Sequence, residues 1–295
     1  MTLDQLRIFI AVAEALNMTR AAETLHLTQP SVSAAVAALE GRHGLLLFNR
    51  VGRGLELSEA GRAFLPEARA VLARAAEAAG TLDDLAGLKR GQLRLAASQT
   101  VATYWLPVRM ARFAARWPGV ALSLAVGNTQ EAAALVLAGE ADLGFVEGET
   151  EAPLLARRPI GADRLGLYAR PDHPLALHAE ARRPLAPAEL ASAAWVLREA
   201  GSGTRAHFED ALAAAGLAPA ALDIRLELPS NGAVLEALAA GALVGAVSEL
   251  AAGARVAAGQ IVRLDWPLPA RRFTLLTHRA RRASRAVQAF QELLD

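Results

Sequence analysis

Three short strings hold much of the polar chemistry of a mostly apolar chain: Gln29-Pro30-Ser31-Val32-Ser33, Ser98-Gln99-Thr100, and Gly201-Ser202-Gly203-Thr204-Arg205. The first sets amide and hydroxyl groups at the start of an alanine-rich helix. There, short polar side chains can reach bases and phosphates while the alanines let the backbone approach closely. The other two put hydroxyls or glycines where a strand gives way to a helix, and the free N–H groups and dipole of such a helix start favour an anion. Helix capping uses the same residue types, so the surrounding elements must decide between the two readings.

Around the first string, Leu3, Leu6, Ile10 and Ala13, with Phe9 and Val12, follow the 3.6-residue period and predict a helix over about 3–15. Thr19 stands at an N-cap position before Arg20-Ala21-Ala22-Glu23, predicting a short helix to Leu25. After the turn His26-Leu27-Thr28, Thr28 caps a third helix that tolerates Pro30 near its start and reaches about Arg42. Val32, Val36 and Leu39 share one face of it, leaving Gln29, Ser31, Ser33 and Ala34 on the other. Helix, turn and helix at this spacing form a helix-turn-helix, whose second helix enters the DNA major groove.

Two short strands, 45–50 and 55–57, flank Val51-Gly52-Arg53-Gly54, with no acid between Glu40 and Glu56. Arg50 and Arg53 would arm this hairpin as a wing for phosphates or the minor groove. Ser58-Glu59 opens a long helix to about Leu88, bent at Pro66, whose stripe of Leu65, Leu72, Ala79 and Leu82 fits packing against a second copy. Lys89-Arg90-Gly91 ends that pattern. Beyond it, strands at 92–97, 121–126, 142–147, 164–170, 195–198, 224–228, 244–247, 261–266 and 273–278 alternate with helices, the α/β pattern of parallel sheets. About 205 residues of this pattern fit two lobes better than one sheet.

Several functions are excluded by composition. There is no cysteine for a thiol or a zinc site, and the six histidines lack HExxH or comparable metal spacing. Ala200 stands where a G-x-S-x-G nucleophile elbow needs its first glycine, and Lys89, the sole lysine, lies in no phosphate-binding loop. No catalytic residue, metal or cofactor is expected. The N-terminus lacks a secretory signal and no apolar run approaches the roughly 20 residues of a membrane span; a soluble cytoplasmic protein is expected. A net charge of +1, with six arginines balancing six acids over residues 1–62, means that any DNA binding depends on local placement.

Residues 6–61, LRIFIAVAEALNMTRAAETLHLTQPSVSAAVAALEGRHGLLLFNRVGRGLELSEAG, resemble the LysR-type transcriptional regulators. The phenylalanine, the paired alanines, Gln29 to Ser33, Leu39-Glu40, Leu47-Phe48 and Arg50 stand where that family places them, and the layout resembles it along the whole chain. The resemblance implies an α plus α/β fold: a winged helix-turn-helix over 1–58, a linker and dimerisation helix over 59–89, and a two-lobed, periplasmic-binding-protein-like effector domain over 90–295. Lobe I would hold about 92–161 and 267–295, and lobe II about 162–266. The implied bacterial regulator is a homodimer or homotetramer whose partners are double-stranded promoter DNA, a small-molecule effector and, as a further candidate, RNA polymerase. Its expected DNA-binding residues are Thr19, Arg20, Thr28, Gln29, Pro30, Ser31, Ser33, Arg50 and Arg53. Many relatives carry a basic residue after the second serine; here Ala34 and Ala35 follow it, leaving more weight on the others.

Ligands of open α/β sheets bind at the carboxyl ends of strands. That rule selects Ser98, Gln99, Thr100, Asn128, Thr129 and Glu147 in one lobe, and Ser202, Gly203, Thr204, Arg205 and Asn231 in the other, with Arg205 supplying positive charge. Strings such as SQTVATYWLP, DLGFVEG and LREAGSGTR look like the branch with sulfur-metabolism regulators, which implies sulfite, sulfate or another small anion ahead of an organic acid. The rival readings are an enzyme or a cytoplasmic solute-binding protein on the same fold. The latter leaves residues 1–90 without a purpose.

Overall fold

The computed structural model describes residues 1–51, 54–85, 91–148, 150, 152–180 and 185–294. The chain divides into two compact units, one holding Met1–Leu85 and the other nearly all that follows. Arg53 of the expected wing and the expected hinge Lys89-Arg90 lie outside the described residues.

In the first unit, Thr2 and Gln5 form a capping box at the start of α1 (Leu3–Ala15). The second helix is capped by Asn17 rather than Thr19. Asn17 Oδ1 accepts from the N–H groups of Thr19 and Arg20 at 2.9 and 3.1 Å, so α2 (Met18–Thr24) begins before Thr19. Thr28 caps α3 (Gln29–His43), whose Val32, Val36 and Leu39 are at most 3% exposed. Antiparallel β1 (Phe48–Val51) and β2 (Gly54–Leu57) follow. Phe9 lies at the centre, its ring 5.5 Å from Phe48 and 5.1 Å from Phe64.

The helix α4 (Glu59–Leu85) runs through Pro66. Its first half covers the core of its own unit, contrary to the sequence expectation: Ala68 is fully buried, and Leu65 and Leu72 pack partly buried against that core.

The second unit holds β3 (Gly91–Ser98), α5 (Leu106–Arg116), β4 (Val120–Gly127), α6 (Thr129–Ala138) and β5 (Leu143–Glu147) in one lobe. A π-helical turn, Val101–Trp105, leads into α5. Then comes β6 (Leu155–Ala169), a strand of 15 residues where the sequence suggested one only from 164. The other lobe contains α7 (Pro174–Glu180), α8 (Pro187–Ala191), β7 (Ala194–Arg198), α9 (Gly203–Ala214), β8 (Asp223–Leu228), α10 (Asn231–Ala240), β9 (Gly245–Ser248), α11 (Glu249–Ala257) and β10 (Val262–Leu264). The chain returns through β11 (Ala270–His278) to α12 (Arg285–Glu292).

The sheet is mixed rather than wholly parallel. β4, β3 and β5 pair in parallel, but β11 is antiparallel to both β5 and β6. Beyond residue 164, β6 leaves β11 and pairs with β9 and β10. One strand therefore belongs to both lobes, each with its own core. Phe113, Phe145, Phe273 and Phe290 fill one, and Trp195 against Phe208 anchors the other. Burying each such ring contributes roughly 1.5–3 kcal/mol.

Candidate functional site

On the first unit the outer face of α3 is smooth. Gln29, Pro30, Ser31, Ala34, Ala37 and Ala38 are exposed and Ser33 is half-buried. Thr28 and Ser31 share a hydroxyl hydrogen bond of 2.8 Å, and Thr28 Oγ1 accepts from Ser31 N at 3.4 Å, so Thr28 is occupied as a cap. Among the described residues nothing engages the Gln29 amide or the Ser33 hydroxyl, which leaves both for another partner. Thr19 and Arg20 are exposed on α2, and Arg50 is exposed on β1 with no carboxylate in ion-pair distance among the described residues.

A residue whose role the sequence did not reveal ties the wing to α3. Glu40 Oε1 accepts from the N–H groups of Leu47 and Phe48 at 2.7 and 3.2 Å, so the last turn of α3 carries the start of β1. Ser58 closes the other side by donating to Leu46 O at 2.6 Å and accepting from Gly61 N at 2.9 Å.

In the second unit, seven of the expected cleft residues are 3% exposed or less: Ser98, Thr100, Thr129, Glu147, Ser202, Thr204 and Asn231. Buried hydroxyls and carboxylates must be hydrogen-bonded, which makes their partners informative. Ser98 donates to the Glu147 carboxylate, and Thr129 Oγ1 donates to Glu147 O at 2.5 Å. Gly203 meets the same carbonyl: a Cβ there would stand 1.9 Å from Glu147 O, so only glycine lets α9 begin against the end of β5. Asn128 is occupied by α6, exchanging backbone and side-chain hydrogen bonds of 2.8 and 2.9 Å with Glu131.

Asn231, at the start of α10, bridges the lobes. Its N–H donates to Gln99 Oε1 and its Nδ2 to Thr100 Oγ1, both at 3.1 Å, while its Oδ1 accepts from Arg198 Nη1 at 3.0 Å. Arg205 is turned elsewhere. It binds Glu209 at 2.7 Å, Glu227, and the carbonyl of Arg198 at 3.1 Å, so its charge is already paired. Burial pulls its pKa down, but hydrogen bonds and attraction to the two glutamates more than offset this and hold it above its ordinary value.

A buried cation that meets expected residues of both lobes is Arg271. It is 3% exposed and stands opposite Asp163 in the β11/β6 register. Its Nε and Nη2 donate to Asp163 Oδ2 at 3.0 and 2.7 Å, its Nη1 to Thr204 Oγ1 at 2.9 Å, and its Nη2 to Thr100 Oγ1 at 3.3 Å. Glu147 lies 3.7 Å from Nη1, and Ser248 donates to Asp163 Oδ1 at 3.0 Å. The sequence reading passed over Arg271, Asp163, Arg198 and Ser248. Their signal was present: Arg271 shares a buried strand face with Phe273 and Leu275, and Asp163 with Leu165 and Leu167. A charge on such a face needs a partner.

No helix among the described residues is long and apolar enough to cross a membrane, and no cluster of metal-binding side chains occurs among them. Residues 3–62 match the family model for a bacterial regulatory helix-turn-helix protein of the lysR family, and residues 86–295 match that for the LysR substrate binding domain. An uncharacterized HTH-type transcriptional regulator of Escherichia coli K12, YeiE, is 34% identical over all of this chain and 97% of its own. A RuBisCO operon transcriptional regulator of Allochromatium vinosum is 36% identical, covering 99% of this chain and 95% of its own. Full-length CbnR, crystallised in complex with its target DNA, superposes with a TM-score of 0.67 at 26% identity, covering 100% of this chain and 99% of that one. The relatives are regulators rather than enzymes. The chain belongs to the LysR family of DNA-binding transcriptional regulators with a helix-turn-helix and a domain that binds a small-molecule effector.

Proposed function

We propose that this regulator acts in the cytoplasm as a homodimer or homotetramer and changes its grip on promoter DNA when a small oxyanion enters the cleft of its second unit. Residues 1–58 would read DNA through Gln29, Ser31, Ser33, Arg20 and Arg50, residues 59–89 would join copies, and residues 90–295 would sense. The observation that carries this reading is that Thr100 of one lobe and Thr204 and Asn231 of the other, all buried, meet directly or through Arg271 on the seam between two separate cores. With Arg205 paired to glutamates and Arg271 to Asp163, an anion would be held by hydroxyls and helix-start N–H groups rather than by a free guanidinium. Such donors suit sulfite or sulfate. A small organic acid is the second reading, favoured by the regulatory domain of Synechocystis CcmR, 29% identical over 70% of this chain at a TM-score of 0.62, which was solved in complex with 2-PG.

The test is a mobility-shift assay on the DNA upstream of the protein's own gene, with sulfite, sulfate, phosphate and small carboxylates added in turn. One of them should change the shifted pattern and raise the melting point, because a ligand bound only by the folded state stabilises it. Ser202→Ala should keep DNA binding and lose that response. A wild-type protein that binds the DNA and answers to no anion would overturn the effector assignment.

A further inference from the structure

Four hydrogen bonds meet at the seam between the lobes. The Asn231 N–H and Asn231 Nδ2 reach from α10, and Arg271 Nη1 and Nη2 reach from β11. All four are answered by neutral oxygens of the protein: Gln99 Oε1, Thr100 Oγ1 twice, and Thr204 Oγ1. The acceptors differ in how firmly they are held. Thr100 and Thr204 are at most 1% exposed on short side chains, whereas Gln99 is half-buried and reaches Asn231 at the end of a rotatable stem. Gln99 Oε1 stands where the α10 dipole favours negative charge, yet it is only an amide oxygen. A charged oxygen in the same place would form a shorter bond about twice as strong.

We infer that Gln99 is a built-in placeholder for the effector: its amide oxygen occupies the Asn231 N–H that an oxyanion takes over, so effector entry displaces Gln99 and exchanges a lobe-to-lobe hydrogen bond for a lobe-to-ligand one. This rests on the oxyanion reading of the cleft. It makes Gln99 a determinant of specificity, because a neutral ligand gains nothing over the amide oxygen that it must displace and an anion does. It also couples occupancy to the seam, since the Gln99–Asn231 bond is one of the two that join the 98–100 loop to α10.

Two variants of the full-length protein separate this from a simple contact role. Gln99→Ala removes the competitor; calorimetric titration with sulfite, sulfate and phosphate should show tighter binding of the responding anion by roughly two- to tenfold, the worth of one net hydrogen bond. Gln99→Glu supplies its own carboxylate at α10. Without any added anion, its operator footprint should differ from that of unliganded wild type, match that of anion-saturated wild type, and ignore further anion. Weaker anion binding by Gln99→Ala would make Gln99 an effector ligand and overturn the inference. If wild type binds none of the three anions, the oxyanion reading fails by itself, and the footprint still decides: a Gln99→Glu pattern identical to unliganded wild type overturns the placeholder, and a shifted one supports it.

Discussion

Arg271 and Asp163 form a buried ion pair of the kind whose worth lies mainly in what happens when half of it is lost. Removing one partner leaves a charge in a low-dielectric interior, at a cost of about 3–5 kcal/mol. Asp163→Ala should therefore lose about that much stability by urea denaturation, whereas a loss under 1 kcal/mol would mean that Glu147, 3.7 Å from Arg271 Nη1, takes over as its partner. On the other unit, Arg50 is exposed and without an acidic partner among the described residues. Arg50→Ala should weaken binding to operator and random DNA alike and make the salt dependence shallower by about one unit, while Gln29→Ala should cost operator binding more than random binding. An unchanged salt slope removes Arg50 from the phosphate contacts. The polar residues around the seam were legible because the carboxyl ends of strands can be found from sequence. Arg271 and Asp163 were not read, because the expected strands began at 273 and 164 and left both residues just outside, where an isolated Arg or Asp looks solvent-facing until its neighbours two positions away prove buried.

Among the elements, α3 was readable nearly to the residue: Thr28, Pro30 and the Val32-Val36-Leu39 stripe each signal independently. The start of α2 was misread by two residues because Asn17 and Thr19 are both capping types, and only the hydrogen bonds from Thr19 N and Arg20 N choose between them. β6 was half missed for a clear reason. Arg157, Arg158, Pro159 and Gly161 spoil the strand pattern, yet the pairing with β11 shifts register there, setting Pro159 opposite Thr274 and Gly161 opposite Phe273, with Ile160 as the extra residue. A bulge is where a strand tolerates proline and glycine. The link between α3 and the wing yields its own expectation. Glu40→Ala strands the Leu47 and Phe48 N–H groups, and hydrogen bonds to a charged group contribute about 1.5–3 kcal/mol each. The variant should melt earlier and lose DNA affinity although Glu40 faces the wing rather than DNA; normal affinity with a lowered melting point would mean that the wing is not needed for binding.

At the scale of the whole molecule, the first half of α4 packs on its own unit through Ala68, Leu65 and Leu72, so that part of the stripe does not serve association alone. Light scattering should nevertheless give a multiple of the 31.0 kDa chain mass, and a monomer at micromolar concentration would sink the proposed assembly. The continuity of Leu155–Ala169 through both lobes has a thermodynamic consequence for the sensing unit. Neither hydrophobic core can come apart without stripping ladder bonds from the other, so heat should dissolve both in a single endotherm whose calorimetric and van't Hoff enthalpies agree.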